Sequence, residues 1–187
     1  QQVWFWNNFG LTVVDAIRPM QPLDTPADSG LTVRRATPDD LPGLVALEAE
    51  HTRHYAEPPV QMAAYEGHSM DALAAFISGE HNTIWLALDG SDYAGFIRFE
   101  NDGDGAAAVV AAPDQIAVTG AYVRPAYRGR RAAPHLLDAG LRHYAAQGFT
   151  RCSVDFESFN PEAAAFWPKY FTPVCLSVTR IPEQPPI

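Results

Sequence analysis

Residues 116–137 constrain this chain more than any other stretch. A short apolar run, Ile116 to Val123, leads into the basic turn Arg124-Pro125-Ala126-Tyr127-Arg128-Gly129-Arg130-Arg131. Ala132-Ala133-Pro134-His135-Leu136-Leu137 then opens an amphipathic helix. A strand, a tight turn and a helix in that order offer free backbone N–H groups and the positive end of a helix dipole to an anion, phosphate foremost. Arg128, Arg130 and Arg131 add charge that pairs with phosphate oxygens. Gly129, Ala132 and Ala133 keep side chains short, so a ligand can lie against the backbone. The turn lacks G-x-x-x-x-G-K-[ST], which excludes a P-loop, and it lacks the G-x-G-x-x-G dinucleotide fingerprint. Read alone, it also suits a plain basic helix cap with solvated arginines.

The remaining pattern describes one α/β domain. At 187 residues, 47% of them apolar and 19% charged, the chain is long enough for one well-buried core and short for two. Leu31 to Ala36 reads as a strand, and Thr37-Pro38-Asp39-Asp40 as a helix start. Leu41, Leu44, Val45 and Leu47 carry that helix with a period near 3.6 to about Ala56. A second helix is expected from Ser69 to Ser78, then strands Thr83–Leu88 and Tyr93–Phe99 around Asp89-Gly90-Ser91-Asp92. Residues 101–115 form a Gly-, Ala- and Asp-rich loop; strand, turn and helix fill 116–147, with Gln147-Gly148 as the stop. Arg151–Phe156 is a strand, Pro161–Tyr170 a helix capped by Asn160, and Val174–Thr179 the last strand. This order predicts a mixed, mostly antiparallel twisted sheet with helices on both faces.

Arg128, Gly129, Arg130 and Ala133 resemble the R-G-x-G-x-G/A pyrophosphate loop of the GNAT superfamily of N-acetyltransferases. Arg131 stands where that pattern has glycine, and Pro134 removes one amide just after the loop. The segment Asn160-Pro161-Glu162-Ala163-Ala164-Ala165-Phe166-Trp167-Pro168-Lys169-Tyr170-Phe171 is similar to the family's N-x-x-A-x-x-[LF]-[YW]-x-K-x-G-F. The element order agrees over about 31–181. The resemblance implies a GNAT-like acyl-CoA N-acyltransferase fold with acetyl-CoA as cosubstrate. It places the cosubstrate against the Tyr122 and Val123 backbone, Arg128, Gly129, Arg130, Arg131, Ala132, Ala133, Asn160 and Trp167. The implied reaction is acetyl transfer to a primary amine of a small molecule or protein, by direct attack in a ternary complex. The alternative is a degenerate domain that holds acyl-CoA, or serves as a structural or sensing module, without catalysis.

The acid and base are less legible. Many family members have tyrosine where this chain has Trp167, and an indole N–H is no general acid; Tyr170, one helical turn on, is the substitute. An amine of pKa near 10 is neutral in roughly one molecule per thousand at pH 7, so a base is needed. The strand Ile116-Ala117-Val118-Thr119-Gly120-Ala121 carries no carboxylate, although Asp114 precedes it. Asp155 and Glu157 follow on the next strand, and Glu157, at a strand's carboxyl end, is the first candidate. His51 and His54 sit three apart on a helix beside Glu50 and Glu57, but without a third ligand no metal is expected.

Residues 1–20 echo the chain's own tail. Phe5-Trp6-Asn7-Asn8-Phe9-Gly10-Leu11-Thr12-Val13-Val14-Asp15-Ala16-Ile17-Arg18-Pro19 resembles the run from Phe166-Trp167 through Val174-Cys175-Leu176 to Arg180. Residues 1–20 are therefore expected to be a helix end plus strand like the tail of an acetyltransferase domain, 21–30 a linker, and 31–187 the domain itself. The echo points either to an upstream tandem domain or to a strand added to this sheet or a partner's, as in a homodimer. The formal net charge of −9 argues against nucleic acid and suits a cationic amine. No apolar run is long enough to span a bilayer, and Cys152 and Cys175 in strand-like runs fit reduced core residues and a cytoplasmic protein.

Overall fold

The computed structural model describes residues 2–24, 30–63, 66–101 and 108–181. Parts of the expected linker and of the 101–115 loop, and the last six residues, lie outside them. Seven strands form one sheet: β1 (Gly10–Pro19), β2 (Thr32–Arg35), β3 (Thr83–Asp89), β4 (Asp92–Glu100), β5 (Gln115–Val123), β6 (Arg151–Glu157) and β7 (Thr172–Thr179). Their order across the sheet is β2-β3-β4-β5-β6-β1-β7. Only the β5–β6 pair is parallel. A parallel neighbour needs a long crossover, which α4 (Ala132–Ala146) supplies.

Alternation along the strands sends one set of side chains to each face. On one face, Leu136, Leu137, Leu141 and Tyr144 of α4 pack on Ile97, Phe99, Ile116 and Val118, with Val154, Trp167 and Phe171 alongside. On the other, Leu44 and Leu47 of α2 (Leu41–Ala56) and Leu73 of α3 (Met70–Ile77) cover Ile84, Leu86, Phe96 and Tyr122. Each such side chain contributes about 1.5–3 kcal/mol by leaving water. The sequence therefore specifies two cores, one per face.

Several ends differ from the sequence reading for local reasons. Pro38–Asp40 makes a separate 3-10 turn before α2, because the Asp40 carboxylate accepts the Thr37 N–H at 2.8 Å and binds Arg34 through two 2.7 Å hydrogen bonds. Ser69 caps α3, accepting the Ala72 N–H at 3.2 Å. The helix begun at Pro161 ends as α5 (Pro161–Phe166) and continues as a 3-10 turn, Trp167–Lys169, since Pro168 cannot donate within the helix. Gly148, at φ +89°, ends the α4 region as expected. Residues 10–19 do not stand apart from the sheet: β1 pairs with β6 on one side and β7 on the other.

Candidate active site

The parallel β5–β6 ladder joins only Gln115–Val118 to Arg151–Val154. Beyond it β5 stays with β4 as far as Gly95↔Val123, and β6 stays with β1 as far as Val13↔Glu157. The two strands therefore diverge, and the β5 edge from Thr119 to Val123 faces open space without a strand partner on that side. A bulge marks the parting. Arg98 pairs with Gly120 and Phe99 with Val118, leaving Thr119 as the extra residue, and a bulge bends the strand that carries it.

Arg98 fixes that bulge. Its Nε donates to Thr119 Oγ1 at 3.0 Å and its Nη2 to the Thr119 carbonyl at 2.8 Å. Its Nη1 donates to Glu48 Oε1 of α2 at 2.9 Å, with His68 Nδ1 3.1 Å away. Both members of the Arg98–Glu48 pair are buried. A Cβ on residue 120 would stand 2.9 Å from Arg98 Nη2, so glycine there lets the guanidinium lie across the strand.

The divergence opens a cavity of about 790 Å³. One wall is the basic turn, where Pro125–Tyr127 forms a 3-10 turn, Gly129 lies at φ +80° and Arg131 at φ 62°, ψ 20°. Arg131 thus takes the left-handed backbone that the family pattern gives to glycine, at a cost of roughly 1–2 kcal/mol. No side chain caps α4 at Arg131, so its first amides stay available to an anion. Arg124, ahead of the turn, is anchored to Glu50 of α2 at 2.8 Å and to the Tyr93 carbonyl at 2.7 Å.

Tyr122, Val123, Arg128, Gly129, Arg131, Ala132 and Ala133 all line the cavity, as do Asn160, Trp167, Glu157 and Tyr170. Arg130 does not: its Nη1 binds Asp89 at 2.7 Å and its guanidinium lies 5.4 Å from the Tyr127 ring. Arg128 donates from Nε to the Val123 carbonyl at 3.1 Å and pairs with Glu162, which also meets His54 Nε2 at 3.2 Å. Asn160 Oδ1 caps α5, accepting from the Glu162 and Ala163 amides at 3.2 and 3.3 Å.

The opposite wall brings together residues far apart in sequence. Ser153, Asp155 and Glu157 alternate on one face of β6, and Asp155 and Glu157 both line the cavity. Burial, then the neighbouring Glu157 and Asp15, push the Asp155 carboxyl up to about 6. Glu157 Oε2 accepts the Tyr55 phenol at 3.2 Å. His51 packs edge-on to Tyr55 and Phe96; burial, then the charge of Arg98, hold its imidazole at about 3, so it is neutral at pH 7. Glu48, His51, Tyr55 and Arg98 were not expected at the site. One signal was present, since Glu48 and His51 sit on the apolar face of α2 at helical spacing from Leu44 and Leu47, and Arg98 interrupts an apolar strand. Among the described residues no cluster of His, Cys, Asp and Glu is placed to hold a metal ion, and no helix is long and apolar enough to cross a membrane.

A sheet split at its one parallel junction, with an uncapped helix aimed at the gap, is the architecture of an acyl-CoA-dependent acyltransferase. The profile of the acetyltransferase (GNAT) family matches residues 47–171, and the chain belongs to that family. No curated protein sequence matches it. Among solved structures it is similar in fold to an aminoglycoside acetyltransferase from an uncultured soil metagenomic sample, with a TM-score of 0.58 and 15% identity over 76% of this chain and 88% of that one. A GCN5-related N-acetyltransferase from Sphaerobacter thermophilus gives a TM-score of 0.57 at 15% identity, covering 95% of this chain and 53% of its own. The PaiA N-acetyltransferase from Thermoplasma acidophilum, solved in complex with coenzyme A, gives 0.51 at 18% identity over 65% and 76%.

Proposed function

We propose that this protein transfers the acetyl group of acetyl-CoA to a primary amine by direct attack in a ternary complex. The reading rests on one observation: the β5 edge, left without a neighbouring strand past Val118, runs straight into a turn whose left-handed residues and uncapped amides suit a pyrophosphate. The pantetheine amides would add to the Thr119–Val123 edge as a further strand, and the diphosphate would take the Gly129 and 131–133 amides with Arg128, the Arg130 amide being held by the Tyr127 carbonyl. That the PaiA protein was solved in complex with coenzyme A supports coenzyme A as a ligand of this fold.

The acceptor enters from the β6 side. Two carboxylates on one strand face attract an ammonium group, and their different surroundings divide the work. Glu157, held by Tyr55, binds the ammonium; Asp155, whose pKa lies near 6, takes the proton that the amine must lose before attack. The nitrogen lone pair then adds to the thioester carbonyl and the C–S bond breaks; Tyr170, a phenol lining the same cavity, protonates the thiolate, and the second N–H proton leaves to solvent, from which Tyr170 is reprotonated. Trp167, buried on Phe171, shapes that wall without donating a proton.

Calorimetry with acetyl-CoA, followed by thiol release across a panel of primary amines and polyamines, tests this. Binding with amine-dependent release is the expected result. Binding without release for any amine would favour a sensing domain, and no binding would end the assignment.

A further inference from the structure

The tail of the domain and the start of the chain are two copies of one structural unit, of which only one is covered. In the tail, Phe166 and Trp167 pack edge to face with centroids 4.9 Å apart and planes at 75°. In α1 (Gln2–Trp6), Phe5 and Trp6 repeat that geometry at 5.6 Å and 73°. The contrast lies in burial: Trp167 is 7% exposed inside the core, whereas Phe5 and Trp6 are 71% and 79% exposed. Four consecutive large apolar side chains, Val3 to Trp6, are bare on a five-residue helix. A pair built like a core element and left in water marks an interaction surface.

The strands that follow repeat the relation. By the sequence echo, Val14 and Asp15 correspond to Cys175 and Leu176. In the sheet Val14 lies opposite Leu176 and Asp15 opposite Cys175. Each copy therefore faces the other's equivalent, which is the pairing of two like strands about a local two-fold axis. On one side of this axis β1 docks against β6, from Val13↔Glu157 to Pro19↔Arg151. On the other side β7 is the last strand of the sheet among the described residues, with Val174 and Leu176 exposed along it.

We infer that the free edge of β7, together with α1, docks a second acetyltransferase-fold unit joined ahead of residue 2, so that the two units exchange their last strands. In this arrangement α1 and β1 are that unit's tail. Its Phe5 packs against its core and its Trp6 enters it, as Phe166 and Trp167 do here. Residues 174–180 lie antiparallel to its own β6-type strand, in the register that residues 13–19 take with β6. One continuous sheet then runs through both units, and no exposed strand edge remains between them. Solved chains of this fold leave room for further structure: the Sphaerobacter thermophilus protein matches 95% of this chain, and only 53% of its own length is covered.

The test compares the 187-residue chain with the protein expressed from the gene's complete reading frame, by hydrogen exchange and by acrylamide quenching of tryptophan. The complete protein should protect the outward amides of Val174–Thr179 by a hundredfold or more and shield Trp4 and Trp6, which are open to quencher in the shorter chain. Trp6→Arg should leave the melting temperature of the shorter chain unchanged and lower that of the complete protein by about 3 °C or more. A reading frame with no second acetyltransferase-like unit ahead of residue 2 overturns the inference. So does a complete protein whose β7 amides exchange as fast as in the shorter chain. A concentration-dependent dimer of the 187-residue chain with the same protection would assign the surface to a second copy and also overturn it.

Discussion

The two walls of the cleft are built in opposite ways. The wall proposed for the pyrophosphate is one contiguous run, residues 122–133, and most of what it offers is backbone: two left-handed residues and the first amides of α4. The wall proposed for the amine is assembled from α2, β4, β5 and β6, and what it offers is side chains: Asp155, Glu157 and Tyr55, with Arg98 and Glu48 behind them. A backbone site tolerates changes in side chains, provided the turn keeps its shape. A side-chain site depends on each group and on the burial around it. The first wall should therefore lose affinity in modest steps, and the second should lose turnover in large ones.

The largest expected effect is at Asp155. Asp155→Asn should lower kcat/KM about 10²–10⁴-fold, the usual contribution of a positioned base, with little change in acetyl-CoA affinity. The wild-type profile of kcat/KM should rise tenfold per pH unit on the acid side and level near pH 6, and the variant should lack that limb. Stability should move the other way. The folded carboxyl titrates about two units above its unfolded value near 3.9. Its favourable contribution is thus complete below about pH 4 and lost as pH rises through 6. Asp155→Asn should then melt higher than wild type at pH 8 and show no such gain at pH 4. A variant that keeps its turnover would move the base elsewhere and undo the contrast between the walls.

Next comes the strut behind the second wall. Glu48→Ala leaves the Arg98 guanidinium buried without its carboxylate partner, beside His68 and the Phe76 ring, and should cost about 3 kcal/mol by thermal or denaturant unfolding. Because Arg98 also holds the Thr119 bulge that parts β5 from β6, the folded fraction should bind acetyl-CoA more weakly too. Arg128→Ala acts on the first wall alone. It should weaken acetyl-CoA by about 1–3 kcal/mol in calorimetry and leave the pH profile unshifted.

This contrast also explains what could be read from the sequence. The turn proposed for the pyrophosphate was legible as a strand, turn and helix because strand, basic turn, short side chains and helix follow one another within some twenty residues. Asn160 and Trp167 were legible for the same reason, one short segment with its own cap. Arg98 and Glu48 lie fifty residues apart and meet only because β4 and α2 share a face. Tyr55 and Glu157 are further apart still. Arg130 reads like Arg128 in the sequence, yet one turns to Asp89 and the other into the cleft; the left-handed Gly129 between them reverses the chain direction. The place of β1 was illegible because alternation shows that a strand has an apolar face but not which strand it joins.

The smallest effect isolates a contact that bridges the two walls through α5. Glu162, on α5, pairs with Arg128 of the first wall and His54 of the second, and its side chain is 46% exposed. A phosphate recruiting Arg128 must first displace that carboxylate, and a half-exposed ion pair resists by less than about 1 kcal/mol. Glu162→Gln should therefore tighten acetyl-CoA by a few fold, measured by calorimetry, and the gain should shrink with added salt as screening weakens the wild-type pair. Arg128→Ala should erase the gain, because the competition has then lost its object. The double variant should bind like Arg128→Ala alone, which makes the coupling between the two positions the quantity to measure. If Glu162→Gln instead weakens binding, Glu162 positions Arg128 for the phosphate rather than competing with it, and the first wall depends on a side chain after all.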